Sequence, residues 1–315
     1  MDIQFNGWKG YSFLFSAENT QVFLKNKYLK QHIENPEQKA FENCYAFIYY
    51  LEHGQVYYKQ AENSPLIIKP ILLFYGLVHL LKACILTINP LYPENTSVLA
   101  HGVTTRKRKK QNYQFFQDEI KFQKNGLFPY MSETLFHMEQ LEGDKLSMGD
   151  LLQMLPELDD LFGRLEGMKN FVKVAAQNDQ FIISEKLLDH FHMSENRLKE
   201  FLSAKFKDLF LFSGEGLTFS FGDSPFRRPC PIKYHLEDKY FAFPIHKHNF
   251  FHLPELLVHY LLLYNLSMIA RYETEWWGEL TKMMPTKDYP FINTFLDLTI
   301  EKGPFLIYQY LVGEF

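Results

Sequence analysis

The sequence predicts a mainly α-helical fold with an α+β insertion, in which helices from both ends of the chain form one bundle. Two long apolar segments support this prediction, residues 66–88 and 253–279, because each is too apolar for a surface helix. The region between them alternates short strand-type and helix-type runs. We therefore expect an N-terminal part of the bundle (1–114), an inserted α+β region with hairpins (115–248) and a C-terminal part of the bundle (249–315).

Three helices are predicted before residue 90. Residues 17–31 have the apolar spacing of an amphipathic helix. A second helix at 37–60 is expected to bury Phe41, Cys44, Tyr45, Ile48 and Leu51. Pro65 breaks the chain before the long helix of 66–88, Pro70 falls within its first turns, and Asn89-Pro90 ends it. Residues 90–118 are predicted to form a long loop.

Turn signals divide the insertion. Lys124-Asn125-Gly126 lies between short alternating runs at 119–122 and 127–130, which predicts a hairpin. Ser147 and Pro156 each begin a short helix, and Gly167 ends the second. The remaining predictions are strands at 171–175 and 180–183, helices at 184–190 and 194–206, hairpins at 209–221 and 233–243, and C-terminal helices at 253–283, 288–301 and 304–312.

Composition indicates a cytoplasmic protein with a large packed core. The 315 residues are 46% hydrophobic and 17% aromatic, and the net charge is only −4. Three widely separated cysteines suit a reducing compartment, and the N-terminus lacks the pattern of a signal peptide. The segment 66–88 is long enough to span a membrane, but Lys69, Pro70, His79 and Lys82 interrupt it and favour a core helix.

Several segments resemble the YaaC-like protein family. The run FYGLVHLLKA (74–83) is similar to the family's YYGLxxLxKA helix, and LAHG (99–102), YNLSMIARY (264–272), EWW (275–277) and residues 290–310 also agree. The resemblance covers nearly the whole chain. It implies a protein of Bacillus-type bacteria with a bundle similar to HEPN domains. Through the gene neighbourhood of family members, it also implies a link to IMP dehydrogenase.

Many HEPN-like proteins are RNases that use an Arg-x(4–6)-His pair, in which the histidine moves protons and the arginine stabilises phosphate charge. The forward match here, Arg228-x6-His235, contains two prolines and lies in a predicted loop and strand. His101 and Arg106 occur in the reverse order within the predicted loop. They are the remaining catalytic candidates, and a turn histidine beside a solvated loop is the alternative. The expectation therefore leans away from an enzyme.

The most concentrated charge in the sequence is the basic segment, which we define as Arg106, Lys107, Arg108, Lys109 and Lys110. Five consecutive cations can contact an acidic protein surface, a nucleotide or the phosphates of a nucleic acid. The aromatic residues Tyr113, Phe115 and Phe116 follow and can stack on bases. A solvated loop is the alternative interpretation.

Arg271 and Trp276 are further candidates for partner contact, near the end of the second apolar segment. Arg271 suits either a half-buried ion pair or a ligand contact. Adjacent tryptophans point to different sides of a helix, so we expect Trp276 or Trp277 to be exposed as a partner contact. His79 lies on an apolar helix and is expected to be a core histidine.

Neither a metal nor a cofactor is expected. Imidazole binds zinc, but no cysteine or aspartate completes a ligand spacing with the crowded histidines 235, 246, 248, 252 and 259. The glycine-rich, P-loop, hydrolase and zincin motifs are missing from the sequence. The leading expectation is a non-catalytic binding or regulatory protein whose partner is a protein, with IMP dehydrogenase as the candidate. The alternative is a metal-independent HEPN-type RNase or an RNA- or nucleotide-binding protein, and a homo-oligomer stays open.

Overall fold

A computed structural model describes residues 3–105, 113–138, 142–177, 180–214, 216–246 and 253–313. In these ranges the protein is mainly helical with small antiparallel sheets, which confirms the predicted class of a mainly α fold with β structure in its middle. The α-helices are α1 (Ala17–Lys30), α2 (Pro36–Glu62), α3 (Lys69–Leu86), α4 (Leu127–Phe136), α5 (Met148–Leu152), α6 (Asp159–Glu166), α7 (Lys186–Phe191), α8 (Glu195–Phe206), α9 (Glu255–Tyr272), α10 (Thr274–Met283) and α11 (Asp288–Leu311).

The strands of the described ranges form three antiparallel sheets, with orders β1-β2-β3, β4-β10-β9 and β5-β6-β8-β7. The predicted hairpins near 210–221 and 233–243 are confirmed, since β7 pairs with β8 and β9 with β10. The strands are β1 (Val103–Thr105), β2 (Glu119–Phe122), β3 (Lys145–Ser147), β4 (Phe171–Lys173), β5 (Ala175–Gln177), β6 (Gln180–Ile182), β7 (Phe210–Phe212), β8 (Thr218–Phe221), β9 (Lys233–His235) and β10 (Tyr240–Pro244).

Helix α3 lies in the core, between α2, α9 and α11. By length and composition it could cross a membrane, but 67% of its residues are buried inside the protein. This agrees with the prediction of a core helix. Its first turn contains Pro70. Proline has no backbone N–H, but the first N–H groups of a helix have no partner within the helix, so no helical hydrogen bond is lost there.

Two glycines allow α2 and α3 to pack closely. A Cβ on Gly54 of α2 would lie 2.5 Å from the Leu80 side chain, and one on Gly76 of α3 would lie 2.8 Å from the Tyr58 ring. Neither position has room for a methyl group, so the two helices approach more closely there than alanine would permit.

The predicted apolar side of α2 is partly wrong. Cys44, Ile48 and Leu51 are buried as expected, but Phe41 is 67% exposed and Tyr45 is 56% exposed. The buried side of this helix includes Ala40, Phe47 and Tyr58 instead, a set rotated around the axis. Apolar spacing alone does not locate the buried side, because aromatic residues occur all around α2.

The hairpin predicted around Lys124-Asn125-Gly126 is wrong. Its first strand exists as β2, but residues 127–136 form α4, and β2 pairs with β1 and β3. The strand β1 lies in the stretch predicted as loop. Gly126, at a φ of 126°, packs against Gly102 and begins α4, so the turn joins a strand to a helix.

The C-terminal helices also differ from the prediction. One helix was expected at 253–283, but it breaks at Glu273, whose φ and ψ of −116° and 49° separate α9 from α10. Separate helices are predicted at 288–301 and 304–312, the second beginning at Pro304, but α11 continues through that proline. A proline removes one hydrogen bond from a helix, and the extensive burial of α11 compensates for this loss.

Candidate functional site

Three separate segments of the chain converge at His101. Its ring centroid lies 5.0 Å from that of Phe74 and 6.3 Å from that of Tyr75, both on α3. It lies 5.5 Å from the ring of Tyr264 on α9. We define the His101 site as His101 together with the neighbouring polar and aromatic residues of these two helices: Tyr75, His79, Lys82, Tyr264 and Arg271.

The loop that carries His101 is held by backbone contacts. The Tyr260 hydroxyl donates a hydrogen bond to the His101 carbonyl oxygen at 2.8 Å, and the Phe128 N–H donates to the same oxygen at 3.1 Å. Gly102 follows with a φ of 78°, against the backbone of Gly126. The histidine is therefore presented from a fixed turn between a helix and a strand.

His101 is neutral near neutral pH. Burial, followed by the positive charges of Arg271 and Lys82, lowers the pKa of its half-buried imidazole. A neutral imidazole has one nitrogen that donates and one that accepts a hydrogen bond. It can therefore bind a polar group or accept a proton.

Arg271 is held by contacts with uncharged groups, including one from Nη2 to the Met268 sulfur at 3.1 Å. Its Nε donates to the Ser267 carbonyl at 3.1 Å, and Nη1 donates to the Tyr75 hydroxyl at 3.3 Å. Its guanidinium lies 5.9 Å from the Tyr75 ring and 5.3 Å from the ring of Tyr272. No ion pair of Arg271 is found in the part of the chain that the structure describes, and its predicted role in ligand or partner contact stays a prediction.

His79 is half-buried, whereas the sequence suggested a core position. It stacks on Tyr57 at 5.7 Å and 18°, and its centroid is 5.1 Å from that of His53. Burial, Lys82 and His53 lower the pKa of His79 to about 4. Its buried Nδ1 has no hydrogen-bond partner among the described residues. The α3 side of the site therefore carries a cation, Lys82, beside a neutral histidine.

The two adjacent tryptophans differ in burial, as their neighbouring positions on a helix predict. Trp277 is fully buried, and its Nε1 donates to the Ile67 carbonyl at 2.9 Å. Trp276 is half-buried rather than fully exposed, because the Tyr113 ring packs edge-on against it at 4.6 Å. Its remaining exposed surface is the part that a partner can contact.

The basic segment, Arg106 to Lys110, lies outside the described residues. It includes Arg106, so the predicted pairing of His101 with Arg106 lies outside them too. The residues on either side of it are placed. Strand β1 begins directly after Gly102 and ends at Thr105, and Tyr113 lies against Trp276. An open hollow of about 420 Å³, lined by His101, Thr104 and Tyr264 among others, lies along β1.

The other motif candidates are not brought together. Arg228 forms an ion pair with Asp223 at 2.5 Å, whereas His235 accepts a hydrogen bond from the Asp238 N–H at 3.2 Å. His259 is fully buried beside Thr299. His248 and His252 lie outside the described residues. Within the described ranges, no group of three or more His, Cys, Asp or Glu side chains could hold a metal ion.

Sequence reasoning missed a buried polar cluster. Lys302 of α11 is fully buried, hydrogen-bonds to Glu157, and forms an ion pair with Glu255 at 2.9 Å. Although its burial opposes the charge, these two carboxylates raise the pKa of Lys302. The three residues are far apart in sequence, and the only available signal was a lysine within an apolar helix.

A family model matches most of the chain. The model of a family described as "YaaC-like Protein" matches residues 12–311, which include every residue of the His101 site. No curated protein and no solved structure matches the chain.

Proposed function

The chain belongs to the YaaC-like family, and from this premise we propose that it is a non-catalytic cytoplasmic protein that binds and regulates a protein partner through the His101 site and the basic segment. The observation that carries the proposal is the guanidinium of Arg271, which lies 5.9 Å from the Tyr75 ring and 5.3 Å from the Tyr272 ring and forms no ion pair among the described residues. Lys82 adds a second positive charge close enough to act on the His101 imidazole.

The residue types of this site are those of a protein interface. Arginine, tyrosine and tryptophan are enriched among the residues that contribute most to binding. Tyr272 is 65% exposed beside Arg271, and Trp276 is half-buried one turn beyond it. An acidic partner surface would pair with the arginine and pack against these rings. The basic segment would add long-range attraction.

For the first test we propose IMP dehydrogenase as the partner, because the family resemblance implies a link to it. Both purified proteins would be measured by biolayer interferometry. We expect saturable binding that weakens at least tenfold when Arg106, Lys107, Arg108, Lys109 and Lys110 are all replaced by alanine. The matched control replaces the exposed cations Arg164, Lys186, Arg197, Lys205 and Lys207, which lie on other elements, and should bind like the unmodified protein.

A pull-down from native lysate, with and without nuclease, identifies a different partner if IMP dehydrogenase does not bind. One stoichiometric protein that survives nuclease supports the binding function. Equal affinity of the basic-segment variant and the control would mean that this segment is not the contact.

The second candidate is a metal-independent RNase of HEPN type, and one observation favours it. His101 and Arg271 both contact Tyr75, so a neutral imidazole and a guanidinium lie in one neighbourhood. Such a pair could deprotonate a 2′-hydroxyl and stabilise phosphate charge. Single-stranded RNA would be incubated with the protein in EDTA. Cleavage that His101→Ala and Arg271→Ala both abolish supports the RNase, and intact RNA removes it.

We further propose that the bundle of residues 1–114 and 249–315 is related to HEPN domains, with 115–248 as its insertion. An RNA- or nucleotide-binding role without chemistry, or a homo-oligomer, would fit the same charged surface. A steep loss of RNA affinity with rising salt would indicate phosphate contacts. Light scattering of the purified protein would give its oligomeric state.

A further inference from the structure

A second candidate site lies on another part of the molecule, in a groove between the N-terminal residues, α2 and α11. The groove has a volume of about 1070 Å³, within reach of the volumes typical of small-ligand sites. Phe5, Trp8 and Tyr234 contribute aromatic surface. We call it the acidic groove, because its lining also includes the carboxylates of Glu62, Glu157, Glu237, Asp297 and Glu301.

Two buried polar atoms of the groove lack a partner in the described part of the chain. One is the hydroxyl of Tyr58, a residue that is only 1% exposed. The other is Oε2 of Glu157, whose side chain is 5% exposed. Leaving a buried polar group unpaired is unfavourable, and binding sites are a common reason for it.

The Glu157 carboxylate is held in place by its other oxygen. Oε1 accepts from the Leu236 N–H at 2.9 Å and from the ammonium of Lys302. Glu157 lines the groove, and both of these bonds go to Oε1, so Oε2 is the oxygen without a partner among the described residues. A carboxylate fixed in this way needs no rearrangement to receive a donor.

The position of the Tyr58 hydroxyl is also restricted by close packing. A Cβ on Gly303 would overlap its hydroxyl oxygen, so only glycine at this position of α11 lets the phenol reach the helix. The next residue is Pro304, which has no N–H for the carbonyl of Ile300 one turn earlier. Ile300 and Pro304 both line the groove. The Glu157 carboxylate, the Tyr58 hydroxyl and the Ile300 carbonyl can each accept a hydrogen bond.

The charges of the groove point to a cationic ligand. Among the described lining residues five side chains are carboxylates and one, Lys239, is a cation. Asp297 is paired with Lys69 at 2.8 Å, which still leaves an excess of negative charge. Aromatic faces such as that of Trp8, 5.8 Å from the Tyr58 ring, attract organic cations.

We propose that the acidic groove binds an aliphatic polyamine or a lysine side chain with the same ammonium chemistry. One ammonium donates to Glu157 Oε2 and to the Tyr58 hydroxyl. The hydrocarbon part packs on Phe5 and Trp8, and further ammonium groups meet Glu62 and Glu301 at the rim.

Spermidine binding would be measured by isothermal titration calorimetry at constant ionic strength. We expect saturable binding that Tyr58→Phe weakens about fivefold, which corresponds to one hydrogen bond. The same variant should unfold at an equal or higher temperature, because the hydroxyl has no partner within the described protein. A purely structural role for Tyr58 predicts unchanged binding instead.

Glu157→Gln also affects Lys302 and is therefore not sufficient by itself. The double rim variant Glu62→Gln/Glu301→Gln involves exposed residues and should fold, with spermidine binding weakened about threefold or more. The matched control is Glu195→Gln/Glu200→Gln on α8, which should bind spermidine normally. A stronger signal from tri-lysine amide than from spermidine would identify a polypeptide as the source of the ammonium group.

Absence of saturable binding of either probe at millimolar concentrations would overturn the proposal. Equal spermidine affinities for the unmodified protein, Tyr58→Phe and the rim variant would also overturn it, since binding would then occur elsewhere.

Discussion

Arg271 donates a hydrogen bond from Nη1 to the Tyr75 hydroxyl, 3.3 Å away, and so connects the last turn of α9 to the middle of α3. Tyr75 also contacts the His101 ring, at 6.3 Å between centroids. The Tyr75 phenol thus contacts both the guanidinium and the neutral imidazole. The arrangement of the site therefore depends on how α3 and α9 pack.

Replacement of Arg271 should affect binding more than folding. Arg271→Ala should weaken the partner complex at least tenfold, and Arg271→Lys should recover little of the loss because an ammonium cannot reproduce the planar contacts. Interferometry with the identified partner would measure both. Arg197→Ala, an exposed arginine on α8, is the control and should bind normally. A loss of binding that merely follows a loss of thermal stability would contradict a contact role.

The glycines between α2 and α3 should not tolerate a methyl group. Gly54→Ala and Gly76→Ala should each lower the free energy of unfolding by about 1–3 kcal/mol through overpacking. Urea titration followed by circular dichroism would measure this. Gly278→Ala on α10 is the matched control, because a Cβ there meets nothing within 4 Å. Alanine has a higher helix propensity than glycine, so Gly278→Ala should stabilise the protein by up to about 1 kcal/mol. Similar values for all three variants would refute close packing at Gly54 and Gly76.

Removal of the Lys302 charge should be strongly destabilising. Lys302→Met leaves Glu157 and Glu255 buried without their shared cation, and we expect a loss of about 3–5 kcal/mol in the free energy of unfolding. Chemical denaturation at neutral pH would measure it. The triple variant Lys302→Met/Glu157→Gln/Glu255→Gln removes the unpaired charges as well and should recover part of the loss. A triple variant that is less stable than Lys302→Met would show that charge imbalance is not the cause.

His79 should make stability depend on pH below neutrality. Its pKa is about 4 in the folded protein, below its ordinary value of 6.5, so the unfolded chain binds more protons between these values. Stability is therefore retained above about pH 6.5 and falls as the pH decreases towards 4. Because the ring is half-exposed and screened by water, we expect a contribution of about 1 kcal/mol. His79→Phe should show a shallower decline in unfolding free energy across this window. His190→Gln, at an exposed position, should decline like the unmodified protein.

Helical structure could be predicted wherever apolar spacing and caps agree. Ser147 and Ser194 begin α5 and α8 as expected, and Gly167 ends α6. The errors have a common origin in tertiary contacts. Residues 127–130 were assigned to a hairpin because Asn125-Gly126 is a strong turn signal, but β2 pairs with strands more distant in sequence. The break at Glu273 involves neither glycine nor proline, so the sequence contains no local signal for it.

The site was only partly predictable for the same reason. Arg271 and His101 are candidates from their sequence context, but nothing in the sequence places Tyr75 and Lys82 of the apolar helix beside them. The structure brings these residues together because α3 packs against α9. The acidic groove shows the same limit, since Tyr58, Glu157 and Gly303 meet only after α2, the middle of the chain and α11 have packed.

The break at Glu273 also affects the segment between β1 and Tyr113. Thr105, at the end of β1, belongs to a strand that contacts α9, whereas Tyr113 rests on Trp276 of α10. The two anchors of the basic segment are thus attached to helices that meet at a bend. The angle of that bend sets the distance that seven residues must span. A substitution that straightened α9 into α10 would therefore change the separation of Thr105 and Tyr113 without altering either residue.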